Sequence, residues 1–430
     1  MAQDLGFFQL LDKLDNFPSV RLAQMAVSSS QSQLNILSSP VKAELSAGYT
    51  KTWGQLKLNN KTTSLDAEDI SPISLSANFN VIPYGPVYDQ IVEAGWNLEL
   101  AKSRLKEQKN AEIIKLFKSV NNVITAQKQI TLAEARLEQN QLQLQKVRAL
   151  LAGGAANQAG LEQIQIKISQ SQNAVISQKQ NYQQALRNLS LISGQEVGNI
   201  KDEVIELSEL NYEIEQAIEN RSDLISARQK LLRASMQAES SLRDQLPYGT
   251  VSTNYMHSTD SDQFSLGGSF NTKSFQPSLQ GSYDPDYKPQ AAVAGQSSDS
   301  YSISLKLVVP LDASLSEALE LSRILIKQAE LQYRQSREMA KLDISAKENA
   351  LSAAQANLSL ATAMLEQAKH NLEINQARFE AGIISKLDLV SAKNDLLEAQ
   401  INRQTAKNQE LVAAMQLASA LSFNLTEVIK

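Results

Sequence analysis

Asp388 stands shortly after Gly382 in the stretch ARFEAGIISKLDLVSA, with Lys386 two residues before it. At the start of a helix a carboxylate suits the positive end of the helix dipole. Gly382, like Gly153 and Gly154 in LLAGGAANQAGLEQ, can adopt positive φ and so end a helix. Little else in the chain could do chemistry. The two histidines, His257 and His370, lie far apart, and there is no cysteine, so disulfides, thiolate metal sites and lipid-bearing cysteines are excluded. No Ser–His–Asp set, phosphate loop or metal-ligand cluster is visible. The chain reads as a non-enzyme with no cofactor.

The elements that must position these residues are of two kinds, and the composition fits one of them directly. The 430 residues are 42% hydrophobic but only 5% aromatic. That is poor material for one thick core and ordinary material for long helices with narrow seams. A formal charge of −5 excludes a nucleic-acid binder by charge. No run of about 18–20 apolar residues exists, so no transmembrane helix is expected. The start, MAQDLGFFQLLDKLDNF, lacks a basic region followed by an apolar core. A signal peptide is therefore not expected, and the chain reads either as cytoplasmic or as a mature form behind an added Met1.

The first kind of element is helical with heptad stepping. Leu351, Ala354, Leu358, Ala361, Leu365, Ala368 and Leu372 alternate steps of 3 and 4, as do Ile130, Ala133, Leu137, Asn140, Leu144, Val147 and Leu151. The last helix carries two offset seams. One runs through Leu387, Val390, Asn394 and Leu397, the other through Leu389, Ala392, Leu396 and Ala399. Two seams call for a neighbour on each side, as in a curved wall of helices, though an ordinary bundle is the bland alternative. Asn140, Asn394 and Gln178 on the seams read as register-setting residues. Segments 86–152 and 312–381 hold few helix breakers, and at about 1.5 Å per residue each approaches 100 Å.

The second kind has period 2. VKAELSAGYTKTW, ISLSANFNV and YSISLKLVV alternate apolar and polar residues, and YGTVSTNYM does so less cleanly. Four strands are predicted, at about 41–52, 72–82, 247–256 and 301–309, each near the ~9–11 residues of a membrane strand. A soluble sheet with one wet face is the commoner general explanation, but nothing evident is left to cover these apolar faces. Polar loops over 54–71 and 257–300 join the strands, the second with room for short strands at FSLGGSF and PSLQGSY. Tyr49, Trp53, Tyr255 and Tyr301 lie near strand ends, as ordinary strand aromatics or as an interfacial girdle.

The order helix, strand, loop, strand, long helix, glycine turn, helix occurs twice. The first repeat covers 1–200, with a returning helix at 160–193. The second covers 201–430, with helices at 211–243 and 386–422. Four strands cannot close a barrel alone, since about eight is the practical minimum, so membrane-seated strands require an oligomer.

Over its whole length the chain resembles the TolC-like outer-membrane efflux proteins. AIENRSDLISARQKLLRA is similar to that family's Asn-Arg-x-Asp-Leu segment, DQLPYGTVSTNY to its Leu-Pro step into a strand, SISLKLVVPL to its strand-to-helix passage, and RFEAGIISKLDLVSA to its helical tip. The resemblance implies an α+β membrane protein. It would be a homotrimer with a 12-stranded β-barrel, four strands per chain, among outer-membrane lipid. A 12-helix α-barrel of coiled-coil helices would cross the periplasm, with an equatorial region around 195–220 and the C-terminus. It implies a passive exit duct for efflux or type I secretion, joined by a periplasmic adaptor to an inner-membrane pump of RND, ABC or MFS type. Gly153, Gly154, Gly382 and Lys386 would then shape the tips that dock the adaptor, and Asp388 would form the acidic ring at the narrowest point of the gate. A second acidic ring would fall at Ser391, and the family's polar tip closure at Phe379, Ile384 and Ala159. Ser391 carries no acidic group and the other three carry no polar one, which leaves closure to packing or to Asp388. The competing reading is a soluble coiled-coil scaffold with a small β-domain.

Overall fold

The computed structural model describes residues 3–58, 61–155, 157–209, 212–285, 287, 297–311 and 315–430. Its elements run along the chain in two stretches. The first holds β1 (Gln3–Leu5), α1 (Phe7–Leu11), α2 (Pro18–Leu37), β2 (Val41–Leu58), β3 (Lys61–Phe79), α3 (Pro86–Ala152), α4 (Gln158–Ser193) and β4 (Val197–Ile200). The second holds α5 (Ile214–Glu219), α6 (Ser222–Gln245), β5 (Tyr248–Ser258), β6 (Gln263–Asn271), β7 (Gln276–Asp284), β8 (Ser298–Val308), α7 (Leu315–Glu380), α8 (Lys386–Ala420) and α9 (Leu425–Val428). They form two compact units, one of Met1–Val27, Ala101–Ile225 and Gln335–Lys430, the other of Ser28–Leu100 and Ser226–Arg334.

The first unit is helical around one apolar core. Phe7, Leu10, Phe17, Leu116, Phe117, Leu189, Ile205, Met415 and Leu425 cluster there, with the Phe7 and Phe117 rings edge to face at 5.9 Å. Strands β1 and β4 pair in parallel, and Leu207 bridges Ile429. The segments around 195–220 and the C-terminus thus meet, and the N-terminal segment joins them, which periodicity did not anticipate. Asn110 ties this core together from α3: its amide donates to the Phe423 carbonyl at 2.7 Å and its Oδ1 accepts from Leu425 N at 3.0 Å. Two seam residues act as register pins. Asn394, buried on α8, donates to Gln139 Oε1 at 2.8 Å, and Asn140 donates to Ser171 Oγ at 2.6 Å. A polar pair inside an apolar seam is satisfied in one alignment only, which is how it selects that alignment.

The second unit is built on one sheet of six strands, in the order β2-β3-β7-β6-β5-β8, every neighbouring pair antiparallel. The expectation of four strands per chain is corrected on two counts. Residues 54–71 are not a loop: β2 and β3 continue through them as one long hairpin, Gly54 opposite Leu65 and Leu58 opposite Lys61. Backbone pairing extends past the point where the apolar alternation ends. The side chains over 52–71, that of Trp53 included, lie outside the described residues. The segment 257–300 supplies the other two strands, β6 and β7, where the sequence offered only a loop with room for short ones. Glycine and serine supply little β-propensity there, and cross-strand pairing overrides it.

The helix expected over 211–243 is divided in two. It breaks at Asn220, whose φ of −90° and ψ of 0° leave the helical region, and restarts at Ser222. The expected start of the long second helix, 312–314, lies outside the described residues.

Candidate membrane wall and helical tips

Each residue of a strand alternates between the two faces of the sheet, so the register fixes two surfaces. On one face stand Leu45, Leu75, Leu279, Leu266, Val251 and Leu305, with at least one from every strand. Tyr301, Ile303, Leu305 and Leu307 along β8 are 79%, 77%, 79% and 73% exposed. At ~3.4 Å per residue, the alternate apolar positions from Tyr301 to Leu307 span about 20 Å along the strand. That covers most of the ~25 Å outward apolar band of outer-membrane barrels. So broad an exposed apolar face marks a surface that meets lipid or another apolar partner.

The opposite face is lined with hydroxyls. Ser46 and Ser74 are bonded at 2.7 Å, Ser265 and Ser282 at 2.6 Å, Ser269 and Ser278 at 2.7 Å, and Ser252 and Ser304 at 2.8 Å. A hydroxyl both donates and accepts, so these pairs satisfy one another and still bond water. The surface is polar and almost uncharged, with Lys42, Glu44 and Lys306 toward the helical end of the strands.

Aromatic rings gather at both ends of the sheet. Tyr255 and Tyr301 stack at 4.9 Å, far from the helices, with Tyr283 one rung beyond them. Tyr84 and Phe275 meet edge to face at 4.6 Å where β3 passes into α3. There Arg243 pairs with Asp89 and lies 5.2 Å from the centre of the Tyr84 ring.

The two helical turns singled out by their glycines share one backbone geometry. In the first, Gly154 has φ +73°, its N–H donates to Leu151 O at 3.0 Å, and Ala155 N donates to Leu150 O at 2.8 Å. In the second, Gly382 has φ +73°, its N–H donates to Phe379 O at 2.9 Å, and Ile383 N donates to Arg378 O at 2.8 Å. Both are Schellman closures, which need a left-handed residue and so select glycine. Gly153 lies one residue before the strained position. Three residues past each glycine the next helix is capped, by Asn157 accepting from Gly160 N at 2.9 Å and by Ser385 accepting from Asp388 N at 3.4 Å.

Asp388 completes a capping box. Its Oδ2 accepts from Ser385 N at 2.9 Å and from Ser385 Oγ at 2.6 Å. These two bonds, with Lys146 contributing least, hold the carboxyl below the usual aspartate range and keep it ionised. The carboxylate is exposed at the tip, together with Lys386 and Phe379, while Ile384 and Ser391 are half-buried. The structure thus gathers Phe379, Gly382, Ile384, Lys386, Asp388 and Ser391 within one turn and its flanking helices, and places Gly153 and Gly154 in the other.

Sequence reasoning missed a second polar centre. Arg221, at the break between α5 and α6, bonds Asp223 and Asp343, each at 2.9 Å, and donates to the Ala420 carbonyl at 3.3 Å. Burial works against its charge, but the two carboxylates outweigh it and push the guanidinium above the usual arginine range. Beside it Ser222 donates through both N–H and hydroxyl to Glu107. The clue was the Asn-Arg-Ser-Asp run, whose polar residues interrupt a helical pattern.

Comparison with known proteins agrees with this architecture. Residues 214–422 match the family model described as outer membrane efflux protein. No curated protein matches the chain. Among solved structures, the CmeC outer membrane channel of Campylobacter jejuni is 15% identical over 96% of this chain and 85% of its own, with a TM-score of 0.66. The open state of the MtrE outer membrane channel of Neisseria gonorrhoeae is 14% identical over 97% and 89%, with a TM-score of 0.67. The outer membrane protein VceC of Vibrio cholerae is 14% identical over 97% and 96%, with a TM-score of 0.64. These likenesses establish a shared fold.

Proposed function

We propose that the chain is a TolC-like outer membrane efflux protein that serves as the passive exit duct of a tripartite efflux or type I secretion system, in line with the family model matched over 214–422. In this reading the sheet lies in the outer membrane, the helices run through the periplasm, and chains assemble as a homotrimer. A periplasmic adaptor docks on the two tips, at Gly153 and Gly154 on one side and Gly382 and Lys386 on the other. An inner-membrane pump of RND, ABC or MFS type supplies the energy. Asp388 lines the narrowest part of the gate, where three carboxylates would favour cations. Phe379, Ile384 and Ser391 surround it without the charged partners of a polar lock, so packing of the tip holds it shut.

The observation that carries this reading is the two-faced sheet. One face exposes Leu45, Leu75, Leu305 and Leu307, the other pairs serine with serine. A protein in water gains nothing from leaving such a face bare, at about 25 cal/mol per Å² of apolar surface. In a bilayer that face is solvated by lipid and the serine face by water in the lumen.

The faces predict opposite responses to charge. Ile303→Lys, on the apolar face, is expected to abolish assembly in the membrane, since a lysine facing lipid near the midplane costs about 2–4 kcal/mol in each copy. Ser302→Lys or Ser304→Lys is expected to assemble normally and to reduce cation preference in bilayer recordings. Equal tolerance of both faces contradicts the membrane assignment. Unchanged selectivity in Asp388→Asn contradicts the gate role of that residue and leaves the duct intact.

A further inference from the structure

We propose that each copy contributes six strands to the membrane wall, so that three copies close a barrel of eighteen strands, 3 × 6, around a correspondingly wide bore. This rests on the duct reading above and adds the architecture of its membrane section. The partner each sheet edge takes is a second copy of this chain.

Three observations on the sheet lead there. The hairpin β6–β7 lies between β3 and β5. The pairing of β5 with β8 stays intact over its full length, from Tyr248 opposite Val308 to Ser258 opposite Ser298. The hairpin is therefore inserted into the wall and has not replaced any part of it. It also keeps the wall's two surfaces. Tyr283 stands opposite Ile73, and Leu266 opposite Tyr255, on the apolar side. The Ser265–Ser282 and Ser269–Ser278 pairs continue the hydroxyl side. A plug or lid inside a lumen would have no use for an exposed apolar face.

The third observation is how the hairpin is seated. Its near turn is fixed where β3 passes into α3. Gln276 donates to Asn80 Oδ1 at 2.7 Å, and Phe275 packs on Tyr84. Gly85, at φ +91°, lets the backbone come so close that a Cβ there would sit 2.8 Å from Ser274 O.

The edges complete the case. β2 and β8 are the terminal strands, and strict antiparallel alternation over six strands makes them run in opposite directions. The β8 edge of one copy therefore meets the β2 edge of the next in antiparallel sense, a head-to-tail contact that closes into a ring. Six strands are too few to close alone. Barrel diameter grows roughly linearly with strand number, so eighteen strands instead of twelve widen the backbone bore about 1.5-fold and its cross-section about 2.25-fold.

The chain has no native cysteine, so introduced pairs report cleanly. The membrane-assembled full chain is treated with a short bifunctional thiol reagent. Ser76→Cys with Gln280→Cys, opposite one another on β3 and β7, is expected to link within one chain at high yield. Glu44→Cys on β2 with Ser300→Cys, Ser302→Cys or Ser304→Cys on β8 is expected to give covalent dimers and trimers. Ser76→Cys with Ser252→Cys or Asn254→Cys on β5 is expected to stay unlinked. If the β3–β5 pairs link instead while the protein is trimeric in the membrane, the eighteen-strand wall is overturned and the duct reading stands. If the protein is not membrane-assembled and no β2–β8 pair links between chains, both fall.

Discussion

The first tip, Ala149 to Gly160, and the second, Ala377 to Asp388, make the same turn from different residues. Each ends its helix with paired bonds across a glycine at φ +73° and restarts three residues later under a polar cap. The first is made of leucine, alanine, glycine, asparagine and glutamine, without a charge. The second carries Phe379, Ile383, Lys386 and Asp388, with Ile383 73% exposed. Glycine and cap fix the backbone in both, which leaves side-chain identity free. The first tip is smooth and small, whereas the second presents an apolar residue and a fixed negative charge. If the tips share the work of docking and gating, the second carries the chemistry.

The largest expected effect tests the shared backbone. Gly154→Val and Gly382→Val each force a branched side chain into the left-handed region, and each is expected to weaken its tip by about 1–2 kcal/mol. Hydrogen exchange of the last helical turn before each glycine measures this. A loss at one tip only breaks the equivalence. Next come the caps: Ser385→Ala and Asn157→Ala are each expected to cost about 1 kcal/mol, read as faster exchange in the first turn of α8 or α4.

Acid separates the tips. The Asp388 carboxyl is held below its unfolded value near 3.8, so its contribution is fully present above that pH and is lost as pH falls through the lower folded value. Protection of the first turn of α8, corrected for intrinsic exchange, should drop over that acid range. The first turn of α4, with Gly160 in the equivalent place, should stay level. Asp388→Asn should remove the pH dependence, and an identical acid response at both tips would refute the assignment. The smallest effect concerns Gly153, which is not at positive φ and where a Cβ would lie 3.6 Å from Ala149 O. Gly153→Ala is expected to stabilise the first tip by about 0.5 kcal/mol. A destabilisation would show that close approach of another surface requires this glycine.

Much of the fold was legible because it is periodic. Heptad steps marked α3, α4, α7 and α8, and strict alternation marked β8 and the C-terminal part of β3, next to α3. Gly382 and Gly154 announced the turns because only glycine is comfortable there. The rest depends on contacts between distant segments. Asn110 reaches Phe423 and Leu425, and Arg221 reaches Asp343 and Ala420, across separations that no local pattern encodes. The β6–β7 hairpin was hidden for a related reason. FSLGGSF and PSLQGSY have few β-branched residues, and their strand state comes from the neighbours on either side. The capping box was half legible: a carboxylate near a helix start is a local signal, whereas its bonds to Ser385 depend on the turn that leads into the helix.

Native mass in detergent combined with planar-bilayer conductance decides whether this chain forms an aqueous duct through a membrane. A three-chain assembly is expected, one that requires detergent to stay in solution and gives discrete, cation-preferring conductance steps in a bilayer. A monomer that is monodisperse without detergent and conducts nothing would contradict it.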